Sequence, residues 1–207
     1  AGTALTAVGV SPDNRILISS RANGTLEITD LQPGTTPTVV EGITASRANV
    51  IAFADELQAL LGGQDGVLRR ISFPDSAHRD GHRMVTSDSK HEKAIRALCI
   101  CPDLELAITG SEDHTLRLWD LSSLDCLQVL RGHRAAIRAL AMTPDRAALV
   151  SLADDGTLKI WQPQGGSTRL RPRSEQPLSP FVLARDFQVF QEGLSISLAG
   201  LSPDGRY

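Results

Sequence analysis

Aliphatic and β-branched residues fall along the chain in short runs, such as Leu106-Ala107-Ile108-Thr109 and Thr115-Leu116-Arg117-Leu118-Trp119, and each run stops too early to make a helix. These runs predict strands. The polar punctuation between them repeats. Ser11-Pro12-Asp13, Cys101-Pro102-Asp103, Thr143-Pro144-Asp145 and Ser202-Pro203-Asp204 recur, with a degenerate copy at Phe53-Ala54-Asp55, at Asp-to-Asp spacings of 42, 48, 42 and 59. A second mark follows the first four of these: Asn23-Gly24-Thr25-Leu26, Asp65-Gly66-Val67-Leu68, Asp113-His114-Thr115-Leu116 and Asp155-Gly156-Thr157-Leu158. Two marks in register at a period of 20 to 50 residues identify a repeat architecture.

The chemistry of each mark says what it joins. Proline at the second position of a turn presets φ, and Asp after it suits the same geometry, so each Pro-Asp piece predicts a type I turn between antiparallel strands. Asn-Gly and Asp-Gly predict tight hairpins of the primed type, in which φ is positive. His114 stands at that glycine position in the third repeat, and histidine is among the residues enriched at positive φ. Each repeat is thus expected to be an antiparallel sheet of about four strands. Such sheets bury both faces only by stacking on neighbours, and radial stacking makes a β-propeller.

Composition narrows the classes. Hydrophobic residues at 41% and charged residues at 22% are those of a folded globular chain. The formal charge of −3 gives no global field toward nucleic acid or an anionic membrane, so nucleic acid is not an expected partner. No apolar run approaches the roughly 20 residues that span a bilayer, and the opening AGTALTAVGVSPD lacks the features of a signal peptide. Three cysteines make no disulfide framework. The expectation is a soluble, cytoplasmic, all-β chain without membrane partners.

The stretches Lys90-His91 to Trp119-Asp120 and Gly132-His133 to Trp161-Gln162 have openings 42 apart and tryptophans 42 apart. They resemble WD-repeats (tryptophan-aspartate repeats), in which Gly-His opens the unit and Trp-Asp closes its third strand. Lys90 departs from the opening glycine and Gln162 from the closing Asp. The resemblance covers 90–162; residues 1–42 and 43–89 match only in turns and apolar pattern. The expected organisation is repeats at 1–42, 43–89, 90–131 and 132–191, the last with an insertion at 163–186, and an incomplete copy at 192–207. Against the family's rings of commonly about seven blades, within the four to eight known, this reads as part of a larger ring.

The resemblance implies a structural tetrad, carried here by His91, Thr109, Asp113 and Trp119 and by His133, Ser151, Asp155 and Trp161. A buried Trp N–H needs an acceptor; the hydroxyl accepts it and donates to the imidazole, whose other nitrogen meets the Asp carboxylate. Repeat one degrades the set to Ala1, Ser19, Asn23 and Thr29, and repeat two to Ile43, Leu61, Asp65 and Ile71. Those two repeats are expected to rely on apolar packing. A Ser-His-Asp grouping also suits a nucleophile with its base, but here it occurs twice at a structural period with a tryptophan attached. His78 and His82 with Cys99 and Cys101 suggest zinc only weakly, since Cys-x-x-Cys spacing is lacking. Cys99 and Cys101 are expected to pack on one face of a first strand. No phosphate loop or dinucleotide fingerprint appears, so neither cofactor nor metal is expected.

The expected function, from the resemblance, is non-catalytic scaffolding of other proteins or peptides. The alternative is a regulatory or sensor propeller in a larger signalling enzyme, a kinase or nucleotidase; a propeller enzyme and a nucleic-acid binder rank below both. In the family, loops entering each first strand and the second-to-third strand turns form a peptide-receiving face. Arg96 and Arg138 fall five residues after His91 and His133, with Thr6, Ala48 and Ser197 expected at the equivalent positions. Lys93 and Arg134 lie close in sequence, and Glu112 and Asp154 offset the charge. An acidic or phosphorylated partner suits this pair, because the guanidinium fork fits carboxylate and phosphate. The 163–186 insertion, with Arg169, Arg171, Arg173, Pro177-Leu178-Ser179-Pro180 and an outer strand resuming at Phe187-Gln188-Val189-Phe190, is the alternative docking segment.

Overall fold

A computed structural model of the 207-residue chain describes residues 4–32, 38–40, 46–73, 82–164 and 180–188. Among them, one 3-10 turn at Pro102–Leu104 is the only helical element, and everything else regular is strand. The strands make four sheets, each a simple meander in chain order. The first holds β1 (Leu5–Val10), β2 (Ile16–Arg21), β3 (Leu26–Asp30) and β4 (Thr38–Val40). The second holds β5 (Ala48–Phe53), β6 (Gln58–Gly63), β7 (Leu68–Ser72) and β8 (Arg83–Thr86). The third holds β9 (Ile95–Cys101), β10 (Leu106–Ser111), β11 (Leu116–Asp120) and β12 (Cys126–Leu130). The fourth holds β13 (Ile137–Met142), β14 (Leu149–Ala153), β15 (Thr157–Pro163) and β16 (Phe181–Gln188). Four antiparallel four-stranded meanders are the blades of a β-propeller.

The chain divides into two compact units, Ala1–Ile95 and Arg96–Tyr207. The core of the first is built from two sheets, with Ile18, Leu26 and Ile28 packed against Ile51, Leu61, Ile71 and Phe73. Polar contacts fix the same junction. Ala48 at the start of β5 donates its N–H to Ser20 Oγ at 3.1 Å and accepts from Thr6 Oγ1 at 2.7 Å, so both of its backbone groups are satisfied by the first sheet. The core of the second unit joins Leu106, Ile108, Leu116 and Leu118 to Ile137, Leu149, Trp161 and Phe181. Every residue of β10 is buried, which is why its sequence runs continuously apolar or small instead of alternating.

The hairpins differ from the primed turns expected of Asn-Gly and Asp-Gly. In the first, Gly24 N–H donates to Arg21 O and Arg21 N–H to Thr25 O, both at 2.9 Å, and of the Asn-Gly pair only Gly24 takes positive φ, at 85°. This is a three-residue connection, a type I turn followed by one left-handed residue. Gly66, His114 and Gly156 repeat it at φ 78°, 68° and 76°. The reason is the side chain before the left-handed residue: Asn23, Asp65, Asp113 and Asp155 each accept, through Oδ1, the N–H two residues on, at 3.1, 3.2, 2.9 and 3.0 Å.

The fourth sheet also differs from expectation. Its outer strand starts at Phe181, six residues before the expected Phe187, and β15 runs to Pro163, so only 165–179 lies between Gln164 and Pro180. Phe181 is buried in the core, and the Gln128 side chain holds its backbone, donating to its carbonyl at 2.8 Å and accepting its N–H at 2.9 Å. Val189, Phe190, the incomplete copy at 192–207 and Arg169, Arg171 and Arg173 lie outside the described residues.

A Cβ added at Gly66 would sit 2.3 Å from the His91 carbonyl oxygen and 2.7 Å from that of Lys93. Gly66→Ala should therefore destabilise the fold by more than the roughly 1–2 kcal/mol of a left-handed alanine alone. His114→Gly should be neutral or stabilising and His114→Val destabilising by about 1–2 kcal/mol. Chemical denaturation with unchanged m-value checks all three.

Candidate functional site

In three sheets the first strand slips register near its start, between Leu5 and Ala7, Ala48 and Val50, and Ile137 and Ala139. The skipped residues Thr6, Asn49 and Arg138 are bulges, and a bulge turns its side chain away from the regular pleat. Each reaches a neighbour at one end of the sheet. Arg138 Nε donates to Asp154 Oδ1 at 2.5 Å, while Asn49 Nδ2 donates to Gln64 Oε1 at 3.2 Å. Arg96, one residue into β9, binds Glu112 Oε1 through Nε at 2.7 Å and Nη2 at 2.5 Å. The residue at this register in the second sheet is Asn49, not the expected Ala48, which is buried; Ser197 lies outside the described residues.

Arg96, Glu112, Arg138 and Asp154 all belong to the second unit and alternate in sign. The Arg138 guanidinium is held charged first by its hydrogen bond to Asp154 and then by the fields of Asp154 and Glu112. The side chains are 28% and 28% exposed in one pair and 38% and 36% in the other, so both pairs are open to water. Arg134 and Lys93 are exposed. Pairs this exposed net about 0–1 kcal/mol, so exchanging one carboxylate for another costs little.

Beneath this rim the fourth sheet holds a directional hydrogen-bond chain. Trp161 Nε1–H donates to Ser151 Oγ at 2.8 Å, and Ser151 Oγ lies 2.7 Å from His133 Nε2. His133 Nδ1 lies 3.1 Å from Thr157 Oγ1, which donates to Asp155 Oδ1 at 2.7 Å. Because the Thr157 proton is committed to the carboxylate, His133 carries its proton on Nδ1 and accepts the Ser151 proton on Nε2. The carboxylate was expected to meet the imidazole directly; Thr157 stands between them. The signal was present in the sequence, since Thr115 occupies the same place after Asp113 and donates to its Oδ1 at 2.6 Å. In the third sheet Trp119 Nε1 donates to Thr109 Oγ1 at 2.8 Å. His91 belongs to the first unit, is fully buried and donates its backbone N–H to Gly66 O at 3.0 Å.

Burial pushes His133 down to about 4, with the Lys159 ammonium adding to the effect and Asp155 and Asp186 opposing it. Burial opposes ionisation of Asp155, but the hydroxyl and N–H of Thr157 hold its carboxyl below the usual range. Ser151 is 1% exposed, and its hydroxyl is engaged on both sides, by Trp161 and by His133.

The first two sheets do not rely on apolar packing alone. Arg69 on β7 grips Asp65 with Nη1–Oδ1 at 3.0 Å and Nη2–Oδ2 at 2.5 Å, and Arg21 pairs with Glu27 at 2.6 Å. Burial would raise the Asp65 carboxyl, yet the Arg69 fork and the Val67 N–H hold it below the usual range. Leu61 and Ile71, at the hydroxyl and tryptophan positions, are buried, whereas Ala1 and Ile43 lie outside the described residues.

Among the described residues no three His, Cys, Asp or Glu side chains gather as a metal would require, and no helix is long and apolar enough to cross a membrane. His82 packs edge-on against Phe73, with ring centroids 5.5 Å apart, and burial lowers its pKa; His78 lies outside the described residues.

The family model described as WD domain, G-beta repeat, matches residues 82–120 and 124–162. The chain is 26% identical over 111 residues to Striatin-3 of Bos taurus, covering 47% of this chain and 14% of that protein. It is 28% identical over 129 residues to WD repeat-containing protein 82 of Drosophila melanogaster, covering 59% and 37%. It is also 34% identical over 56 residues to the general transcriptional corepressor TUP1 of Saccharomyces cerevisiae, covering 27% and 8%. The chain thus spans well under two thirds of the length of these curated relatives. The crystal structure of the computationally designed Ika4 protein is similar at a TM-score of 0.64 and 25% identity, over 78% of this chain and 92% of that one.

Trp119→Ala should cost about 3–5 kcal/mol through cavity formation and lost hydrogen bonding, and Ser151→Ala about 1–3 kcal/mol, because Trp161 and His133 would both lose a buried partner. Calorimetry or denaturant melts check both. His133 is depressed in the folded state, so below pH 6.5 the unfolded chain takes up a proton that the folded chain refuses until about pH 4. Its contribution, up to about 3 kcal/mol, is present above pH 6.5 and is lost as pH falls toward 4. An NMR titration should place the His133 midpoint below 5; a midpoint near 6.5 would contradict its burial in the network.

Proposed function

We propose that this WD-repeat chain is a non-catalytic platform that assembles other proteins, receiving a peptide or loop on the rim that carries Arg96, Glu112, Arg138 and Asp154. The observation that supports this most is the alternation of four partly exposed charges, Arg96 on β9 paired with Glu112 and Arg138 at the bulge of β13 paired with Asp154, with the buried Trp161–Ser151–His133 network in the same sheet as Arg138. A bulge presents a side chain at a fixed angle, and a rigid support keeps the cost of ordering it low on binding.

Arg96 and Arg138 already hold carboxylates, so the partner this rim suits is one whose acidic or phosphorylated side chains take over the two guanidinium forks while Glu112 and Asp154 turn to solvent or to the partner's own cations. The exchange leaves the number of ion pairs unchanged. Its gain is geometric, since a phosphate offers each fork a bidentate acceptor. Electrostatic pairing of this kind contributes to encounter rate and register more than to raw affinity.

An array of acidic and phosphorylated peptides against neutral counterparts tests the proposal. The double variant Arg96→Glu, Arg138→Glu should weaken retention of acidic peptides by about tenfold, or roughly 1.4 kcal/mol, and flatten its salt dependence, with melting unchanged. Undiminished retention by a well-folded double variant would move docking away from this rim.

A further inference from the structure

The residue before the Asx position of each hairpin is Ala22, Gln64, Glu112 and Asp154 in the four sheets. Glu112 and Asp154 neutralise Arg96 and Arg138. In the second sheet the same position holds an amide. Gln64 Oε1 accepts from Arg47 Nη2 and from Asn49 Nδ2, both at 3.2 Å, and Asn49 Nδ2 also reaches Ile95 O at 3.2 Å. Gln64 N–H in turn donates to Arg47 O at 2.9 Å, tying the segment that enters the sheet to the hairpin. The same backbone bond joins Ala22 to Ala4 and Asp154 to Ala136, so Arg47 stands where the first and fourth sheets have alanine.

This arrangement gathers donors without acceptors. Two donors converge on Gln64 Oε1, so its Nε2 is turned away from them, and among the described residues Nε2 has no acceptor. Among the same residues Arg47 meets no carboxylate, its Nη1 has no acceptor, and its Nε is closed off from water without one. Arg47, Asn49 and Gln64 are all half-buried. An anion reaching Arg96 or Arg138 must displace a carboxylate, whereas at Arg47 it meets a guanidinium with no internal counter-charge and displaces only water.

We propose that Arg47 and Gln64 form an oxyanion subsite, in which the carboxylate or phosphoryl group of an incoming peptide gives one oxygen to the Arg47 guanidinium and another to Gln64 Nε2. The amide carries part of the specificity: it holds the guanidinium through Oε1 without neutralising it and adds a donor of its own, which an acid at this position would not. The subsite rests on the reading of the strand-entry ends as peptide-receiving, but it lies wholly within the first unit and uses neither Arg96 nor Arg138.

NMR titration of the intact chain with inorganic phosphate, and separately with acetate, at constant ionic strength set with chloride, tests this. The Gln64 side-chain amide and the Arg47 Nε–H should shift saturably with a midpoint of about 1–10 mM, and chloride alone should move neither. Gln64→Glu installs the acid of the third and fourth sheets, so the Arg47 Nε–H midpoint should rise at least about tenfold with melting unchanged; Arg47→Gln should do the same to the Gln64 amide. Phosphate binding that survives in the Arg96→Glu, Arg138→Glu double variant and is lost in Gln64→Glu supports the subsite even where peptide retention on the Arg96 and Arg138 rim fails. Shifts that do not saturate with either anion, or a midpoint that Gln64→Glu leaves in place, would overturn the proposal.

Discussion

An indole N–H carried out of water has one proton to donate and nothing to offer in return, so whatever buries it must supply an acceptor whose own proton is then placed. Trp161 sets that requirement for the fourth sheet, and everything downstream follows from it. Ser151 accepts and is thereby free to donate only to His133; His133 is fixed in one tautomer; Thr157 accepts from the imidazole and passes its proton to Asp155. The chain crosses from β15 to β14, to the segment before β13 and back to the β14–β15 hairpin. A single donor thereby ties the segment that enters the sheet to the hairpin between its two central strands.

The carboxylate at the end of that chain has a second employment. Asp155 also accepts the backbone N–H of Thr157, and the same turn contact is made by Asn23, Asp65 and Asp113. This explains a difference between positions. Where the indole is absent the rest of the network has no purpose, and Leu61 and Ile71 fill the space; the Asx residue remains because the turn needs it regardless. In the second sheet the leftover Asp65 carboxylate is partly buried without an imidazole, and Arg69 resolves the problem by donating one N–H to each of its oxygens.

Much of the architecture was legible because the marks that specify it are local. Asx followed by a left-handed residue, and Pro-Asp, act over four or five residues, and their register alone located the hairpins. What was less legible depends on two-residue details or distant partners. Asn-Gly is compatible with both a primed turn and a type I turn with one left-handed residue, and the choice lies in an Oδ1 contact that composition does not display. The bulge that puts Asn49 in place of Ala48 shifts a count by one. The outer strand at Phe181 is fixed by Gln128, more than fifty residues earlier in the chain. The rim arginines were legible as residues at a matching offset with Glu112 and Asp154 as their offsetting acids, while the geometry of each pair depended on side-chain reach.

Gln164 N–H and Pro180 O meet at 2.7 Å, so the chain leaves β15 and returns to β16 through a neck one hydrogen bond wide. Gln164 and Pro180, the residues flanking 165–179, are held by this bond and by the β15–β16 pairing next to it. Closing a flexible segment costs only about 0.6 kcal/mol more for each doubling of its length. The neck is therefore a natural port: a tag, an epitope or a whole folded module spliced between Gln164 and Pro180 would load the β15–β16 ladder very little.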